Sequence, residues 1–129
     1  EWVHFDGEYM RHDIGKAINP QTATGQVEGG VAMSLGYALT EDFPLKDGVP
    51  QVKLGTLGIF KAHQMPPIDV RFIEKNKSSN AAYGAKGIGE IVCVMGGPAL
   101  QNAYYKKDGN YRYRLPLENT FYRKPKPVK

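Results

Sequence analysis

The sequence predicts an α+β domain in which a mixed, mostly antiparallel sheet packs against two main helices. Three patterns carry that expectation. Between Gln26 and Leu39, apolar residues recur every four positions at Val27, Val31, Leu35 and Leu39, the stripe of one helix face. Ile68-Asp69-Val70-Arg71-Phe72-Ile73-Glu74 alternates apolar and charged residues, the period of a strand with one wet face. Pro98 and Asp108-Gly109 bracket a second helix, because proline suits a first helical turn and Asp-Gly ends one.

Taken in order, Trp2, Val3, Phe5, Tyr9 and Met10 flank the turn dipeptide Asp6-Gly7 and predict a strand pair reaching Ile14. Gly15 to Gly25 reads as a loop with Asn19-Pro20 as its turn, and Thr24 as the N-cap of the first helix. That helix cannot continue past Pro44. Gly29, Gly30 and Gly36 inside it each cost about 1 kcal/mol relative to alanine, so a close neighbour is expected to grip it. A loop near Lys46-Asp47-Gly48 leads to Val52–Phe60, apolar but broken by Gly55 and Gly58, read as irregular or short strand. After the alternating strand, Asn76 to Asn80 is a polar loop. Tyr111-Arg112-Tyr113-Arg114-Leu115 alternates again and predicts a last strand.

Composition narrows the function classes. The chain has 129 residues, 41% hydrophobic and 11% aromatic, enough for one core that buries about two-thirds of the unfolded surface. Its net charge of +4 is confined to the end: residues 123–129 carry four cations and no acid, leaving residues 1–122 balanced. The expected division is therefore a neutral body, 1–122, and a basic, disordered tail, 123–129. A neutral body argues against nucleic acid as partner. No run approaches the roughly 18 apolar residues that span a bilayer, and the start lacks the n- and h-regions of an export signal, so no membrane partner is expected. The lone Cys93 excludes an internal disulfide and points to a reducing, cytoplasmic compartment. Lying in an apolar run, it is expected to be a buried, inert thiol. His4, His12 and His63 have no metal-ligand spacing, so no metal ligand is assigned.

The densest unusual segment is Tyr83-Gly84-Ala85-Lys86-Gly87-Ile88-Gly89-Glu90. Three glycines let backbone amides approach a ligand closely, and a carboxylate between them and the apolar Ile91–Met95 has one polar and one apolar side, an environment suited to a general base. The residues alone leave an alternative open, that Glu90 only meets exposed amides at a helix start. The glycine order, G-x-x-G-x-G, is the reverse of a dinucleotide fingerprint. Gly84-Ala85-Lys86-Gly87 also fits the G-x-x-G clamp of RNA-binding KH domains, giving a second class of function: a non-catalytic RNA- or protein-binding module using this loop and the basic tail.

An N-terminal set of motifs and the glycine-rich segment together carry a resemblance. His12-Asp13-Ile14-Gly15-Lys16-Ala17-Ile18-Asn19-Pro20, Gly25-Gln26-Val27-Glu28-Gly29-Gly30 and Leu35-Gly36-Tyr37-Ala38-Leu39, followed by Gly84-Ala85-Lys86-Gly87-Ile88-Gly89-Glu90, resemble the motifs of the molybdenum hydroxylases, the xanthine dehydrogenase family. Pro98–Ala103 and Arg114–Leu117 are similar to the end of their molybdenum-binding subunit. The resemblance runs in register from Glu8 to Leu117, departing at Ile91, where the family has proline, and at Gly96-Gly97, which are expected to loosen the second helix start.

The resemblance implies the C-terminal portion of a larger molybdopterin-binding subunit, inactive alone. It assigns Glu90 as the general base of an oxidoreductase that hydroxylates an electron-poor carbon, in a purine such as xanthine or hypoxanthine or, alternatively, an aldehyde or another N-heterocycle. Gln26 matches the glutamine whose amide meets the molybdopterin, and Gly87 and Gly89 leave room beside Glu90. The other reading of Gln26 is an ordinary polar residue at a helix start, and Lys86 takes no assigned role. The implied cofactor is molybdenum–molybdopterin in its dinucleotide form. Implied partners are the remainder of the subunit, iron–sulfur and flavin domains or subunits, and a small-molecule substrate. An excised piece is also expected to self-associate through uncovered apolar surface.

Overall fold

The computed structural model describes residues 8–75 and 81–123. Strand β1 (Glu8–Asp13) leads through a short loop to helix α1 (Pro20–Leu39). A two-residue hairpin, β2 (Leu45–Lys46) and β3 (Val49–Pro50), and two single 3-10 turns follow before β4 (Ile68–Ile73). Short 3-10 turns at Ala81–Gly84 and Ile91–Val94 flank the glycine-rich segment, and α2 (Gly96–Asp108) precedes an irregular C-terminal stretch.

Helix α1 begins six residues earlier than the apolar stripe suggests. Asn19, and not Thr24, is its N-cap: the side-chain oxygen accepts from the Thr22 amide at 3.1 Å, and Pro20 opens the helix. Asn-Pro, which reads as a turn, is here a cap followed by a residue already fixed near helical φ. The stripe is buried as expected, with Val27, Val31, Leu35, Ala38 and Leu39 each at 2% exposure or less. Helix α2 begins at Gly96, and Gly109 ends it in the left-handed region, donating its N–H to the Tyr105 carbonyl at 2.7 Å.

The main sheet corrects the expectation of a mostly antiparallel arrangement. β1 and β4 run parallel, in register from Glu8 opposite Ile68 to Asp13 opposite Ile73. The chain returns to the same end of the sheet by way of α1, and such a crossover makes parallel neighbours. Alternation reveals which face of a strand is buried, not which strand lies beside it. The antiparallel pair is the small β2–β3 hairpin, whose Asp47 and Gly48 both take positive φ and make a tight turn where the sequence suggested only a loop. The turn expected at Asp6-Gly7 and the loop 76–80 lie outside the described residues.

The last strand expected, Tyr111–Leu115, does not form. Arg112 is drawn inward instead. Its guanidinium donates to Asp108 Oδ2 at 2.6 Å and to the carbonyls of Asn110, Glu118 and Asn119, and it lies 4.7 Å from the centre of the Tyr104 ring. A side chain tied to four places along its own segment curls the chain rather than extending it. The same contact holds the Asp108 carboxyl below its ordinary range. Arg123, assigned to the tail by sequence, pairs with Asp42 at 2.7 Å, and residues 124–129 lie outside the described residues.

The core forms around α1. Val92, Leu100, Tyr104 and Leu117 close on its stripe, with Met10, Ile68, Val70, Phe72 and Ile88 packed against them. Of the three glycines questioned in α1, Gly30 is gripped: a Cβ there would lie 2.7 Å from that of Val92, whereas one at Gly29 would meet nothing within 4 Å. Among the described residues no helix is long and apolar enough to cross a membrane.

These two neighbours make a paired prediction. Gly29→Ala gains helix propensity in open space and should stabilise the chain by up to about 1 kcal/mol. Gly30→Ala should lower stability, because Val92 must move. Urea unfolding that ranks Gly30→Ala level with Gly29→Ala would show that the helix is not gripped at Gly30.

Candidate active site

The glycine-rich segment is fastened to the loop between β1 and α1. Gly15 bridges Ala85, flanked by two backbone hydrogen bonds of 2.9 Å, Lys16 N–H to the Gly84 carbonyl and Lys86 N–H to the Ile14 carbonyl. Gly15 has φ +62°, and a Cβ there would run into the Gly84 carbonyl oxygen, so both conformation and approach require glycine. The loop 14–19 is braced at its other side, where the Ala17 N–H donates to Glu74 Oε1 at 2.8 Å, just beyond β4.

Side chains add a second layer. The Asp13 carboxylate accepts the Gly15 N–H through Oδ1 at 3.1 Å and the Lys86 ammonium through Oδ2 at 2.7 Å. Gln26, in the second turn of α1, donates its amide Nε2 to the Gly89 carbonyl at 2.7 Å. A primary amide has two N–H donors and an acceptor oxygen, so this bond leaves Gln26 with capacity for a further partner.

Between α1's first turns and the glycine segment lies a cleft of about 620 Å³, lined by Lys16, Asn19, Thr22, Gln26, Lys86 and Gly89 among others. It offers an anionic ligand the Lys16 ammonium, while the Lys86 ammonium in its wall is paired with Asp13 and the Thr22 N–H at the helix start is capped by Asn19. Gly87 is exposed beside open space and does not line this cleft.

Glu90 is exposed, and its carboxylate has no hydrogen-bond partner among the described residues. Its backbone, by contrast, is held on both sides. Gln26 holds the preceding carbonyl, and Glu90's own carbonyl accepts from the Cys93 N–H at 3.1 Å and the Cys93 thiol at 2.9 Å. Two residues on, Val92 is wholly buried beneath Gly30. Cys93 is half-buried and hydrogen-bonded, not the fully buried thiol expected.

The structure thus brings Gln26 and Gly89 into direct contact with Glu90 adjoining, and leaves Gly87 apart. Sequence reasoning placed Asp13 and Gly15 within a motif and gave neither a role, although Asp-x-Gly, with a side chain able to cap an N–H two residues on, was a legible local signal. Among the described residues no three His, Cys, Asp or Glu side chains gather to hold a metal.

Comparison with known proteins places this arrangement. Residues 3–66 match the model of a molybdopterin cofactor-binding domain. The xanthine dehydrogenase molybdenum-binding subunit of Escherichia coli O157:H7 is 36% identical over 111 residues, which cover 82% of this chain and 14% of the relative. The chain belongs to the molybdenum hydroxylase family. A second relative within the family's breadth is the gamma subunit of the 6-hydroxypseudooxynicotine dehydrogenase complex of Paenarthrobacter nicotinovorans, 32% identical over 109 residues covering 81% of this chain and 14% of the relative. The crystal structure of quinoline 2-oxidoreductase from Pseudomonas putida 86 superposes with a TM-score of 0.65 at 29% identity, covering 72% of this chain and 12% of that one. The molybdenum hydroxylase segment described here therefore spans about one seventh of the curated relatives' length.

The clasp at Gly15 is directly testable. Gly15→Ala forces a side chain against the Gly84 carbonyl and should destabilise the chain by about 1–3 kcal/mol. Amide hydrogen exchange at Lys16 and Lys86 should accelerate with it. Unchanged protection at both amides would mean that the two loops are not joined in this way.

Proposed function

We propose that this chain forms one wall of the active site of a molybdopterin-dependent hydroxylase, an oxidoreductase acting on an electron-poor carbon, with Glu90 as general base. The observation that carries this reading is the Gln26–Gly89 hydrogen bond, which sets the residue before Glu90 against the start of α1 while the carboxylate has no hydrogen-bond partner among the described residues. A fixed backbone and an uncommitted carboxylate are what proton transfer needs: geometry held, lone pairs available.

The cleft's chemistry fits a molybdopterin group. Lys16 offers charge and donors to a phosphate, while Gln26 retains one amide N–H and its oxygen for the pterin side. Gly89 keeps that wall free of side-chain bulk, and Gly87 leaves open space four residues into the loop. When bound, the group supplies the transferred oxygen and accepts the two electrons removed from substrate. Glu90 takes up the proton released in that transfer, at a carboxylate oxygen. Dinucleotide cofactor, iron–sulfur and flavin domains or subunits, and the remainder of the molybdenum-binding subunit complete the proposed assembly.

For substrate we propose a purine such as xanthine or hypoxanthine, supported by the relative named for xanthine. A second reading, another N-heterocycle or an aldehyde, is favoured by the likeness to quinoline 2-oxidoreductase. The alternative of an RNA- or protein-binding module loses support from the loop's surroundings. The Gly84–Gly87 segment follows a single 3-10 turn rather than joining two helices, and its backbone groups at Gly84 and Lys86 are occupied by residues 14–16.

In the intact enzyme, Glu90→Gln should retain molybdenum and substrate affinity but lower turnover by about 10²–10⁴-fold, the usual weight of a general base. Turnover near the native rate with full metal content would remove Glu90 from that role.

A further inference from the structure

Between the β1–β4 sheet and the glycine loop stands one ion pair that the reading above does not use. Asp13 is the last residue of β1, in register with Ile73, and is therefore anchored to the sheet. Its two carboxylate oxygens are divided between the Gly15 N–H, on the loop leading to α1, and the Lys86 ammonium, on the glycine loop. Both side chains of the pair are more than two-thirds buried, at 27% and 29% exposure. Charges so placed are screened less than surface pairs, and the carboxylate's hydrogen bonds to both segments give it a geometric role that a surface bridge lacks.

We propose that Asp13 and Lys86 are positioning residues for Glu90, acting together as a latch that fixes the path of the loop from Gly84 to Glu90. The inference rests on the assignment of Glu90 as base. Lys86 lies four residues before Glu90, and two of the three residues between are glycines, which resist bending least. The loop's direction must therefore come from its fastenings. Backbone bonds hold it at Gly84 and Lys86, Ile88 packs on the core, and Gln26 holds Gly89. The latch is the fastening that ties Lys86 to the end of β1. Without it, Lys86 keeps its backbone bond to Ile14, but its side chain no longer ties the loop to the end of β1.

The experiment is a double-mutant cycle in the intact enzyme with molybdenum content measured for each variant. Asp13→Asn and Lys86→Met should each lower kcat by about 10- to 100-fold, the cost of misplacing a catalytic group by a fraction of its reach, with KM nearly unchanged. Acting through one pair, the double variant should be no slower than the slower single variant. Lys86→Arg, which can still meet a carboxylate, should restore most of the rate. Amide exchange at Lys16 and Lys86 should quicken in Asp13→Asn and stay native-like in Lys86→Arg. Multiplicative losses, kcat near native in both single variants, or unchanged exchange in Asp13→Asn would each overturn the latch. Glu90→Gln assayed in parallel separates the two ideas. Native turnover there defeats the base assignment, whereas the exchange measurement decides the latch without reference to turnover.

Discussion

The interaction on which the rest depends is the burial of one stripe of α1. Val27, Val31, Leu35, Ala38 and Leu39 form the floor onto which β4, the Ile91–Val94 turn, α2 and Leu117 all pack. Gln26 directly precedes the first of these residues, so the helix's rotation, fixed by what it buries, also fixes where the amide emerges. Gln26 and Gly30 are four apart and share a face, about 6 Å along the axis. Gly89 meets the first and Val92 the second. The glycine segment therefore runs alongside α1, its spacing of three matched to the helix's four, and Glu90 falls within this matched stretch. The carboxylate's position follows from core packing.

Polar groups around the site divide into two kinds. Backbone groups and the side chains of Asp13, Lys86 and Gln26 are committed to holding the loop. Glu90's carboxylate is held by none of them. The division leaves one carboxylate of the loop with its lone pairs available, while its neighbours' polar groups are used to fix the backbone on either side of it.

The sequence made the helices and one strand legible because their evidence is local. Apolar spacing in α1, alternation in Ile68–Ile73, and Pro98 with Gly109 around α2 are readable within a dozen residues. What was not legible depended on partners elsewhere. The parallel pairing of β1 with β4 joins residues sixty positions apart. Alternation at Tyr111–Leu115 meant nothing once Arg112 found acceptors on both sides of it. The start of α1 was misread for another reason, that Asn-Pro serves turns and caps alike and only the Thr22 amide distinguishes them. Glu90, Gln26 and Gly89 were reached through motif resemblance, which carried their identity but not their mutual contact. Asp13 and Lys86 stand 73 residues apart, and no spacing rule connects them.

The clasp between residues 14–16 and 84–86 has a consequence for how the family can vary. Its two hydrogen bonds run between main-chain atoms, which every amino acid except proline supplies in full. The side chains of Lys16 and Ala85 take no part in the joint, while the demand for a particular residue concentrates on Gly15 and Gly84, both at positive φ. A scaffold fastened in this way tolerates drift in most of its letters. A chain that shares little more than a third of its residues with a relative can still close such a seam through main-chain atoms alone.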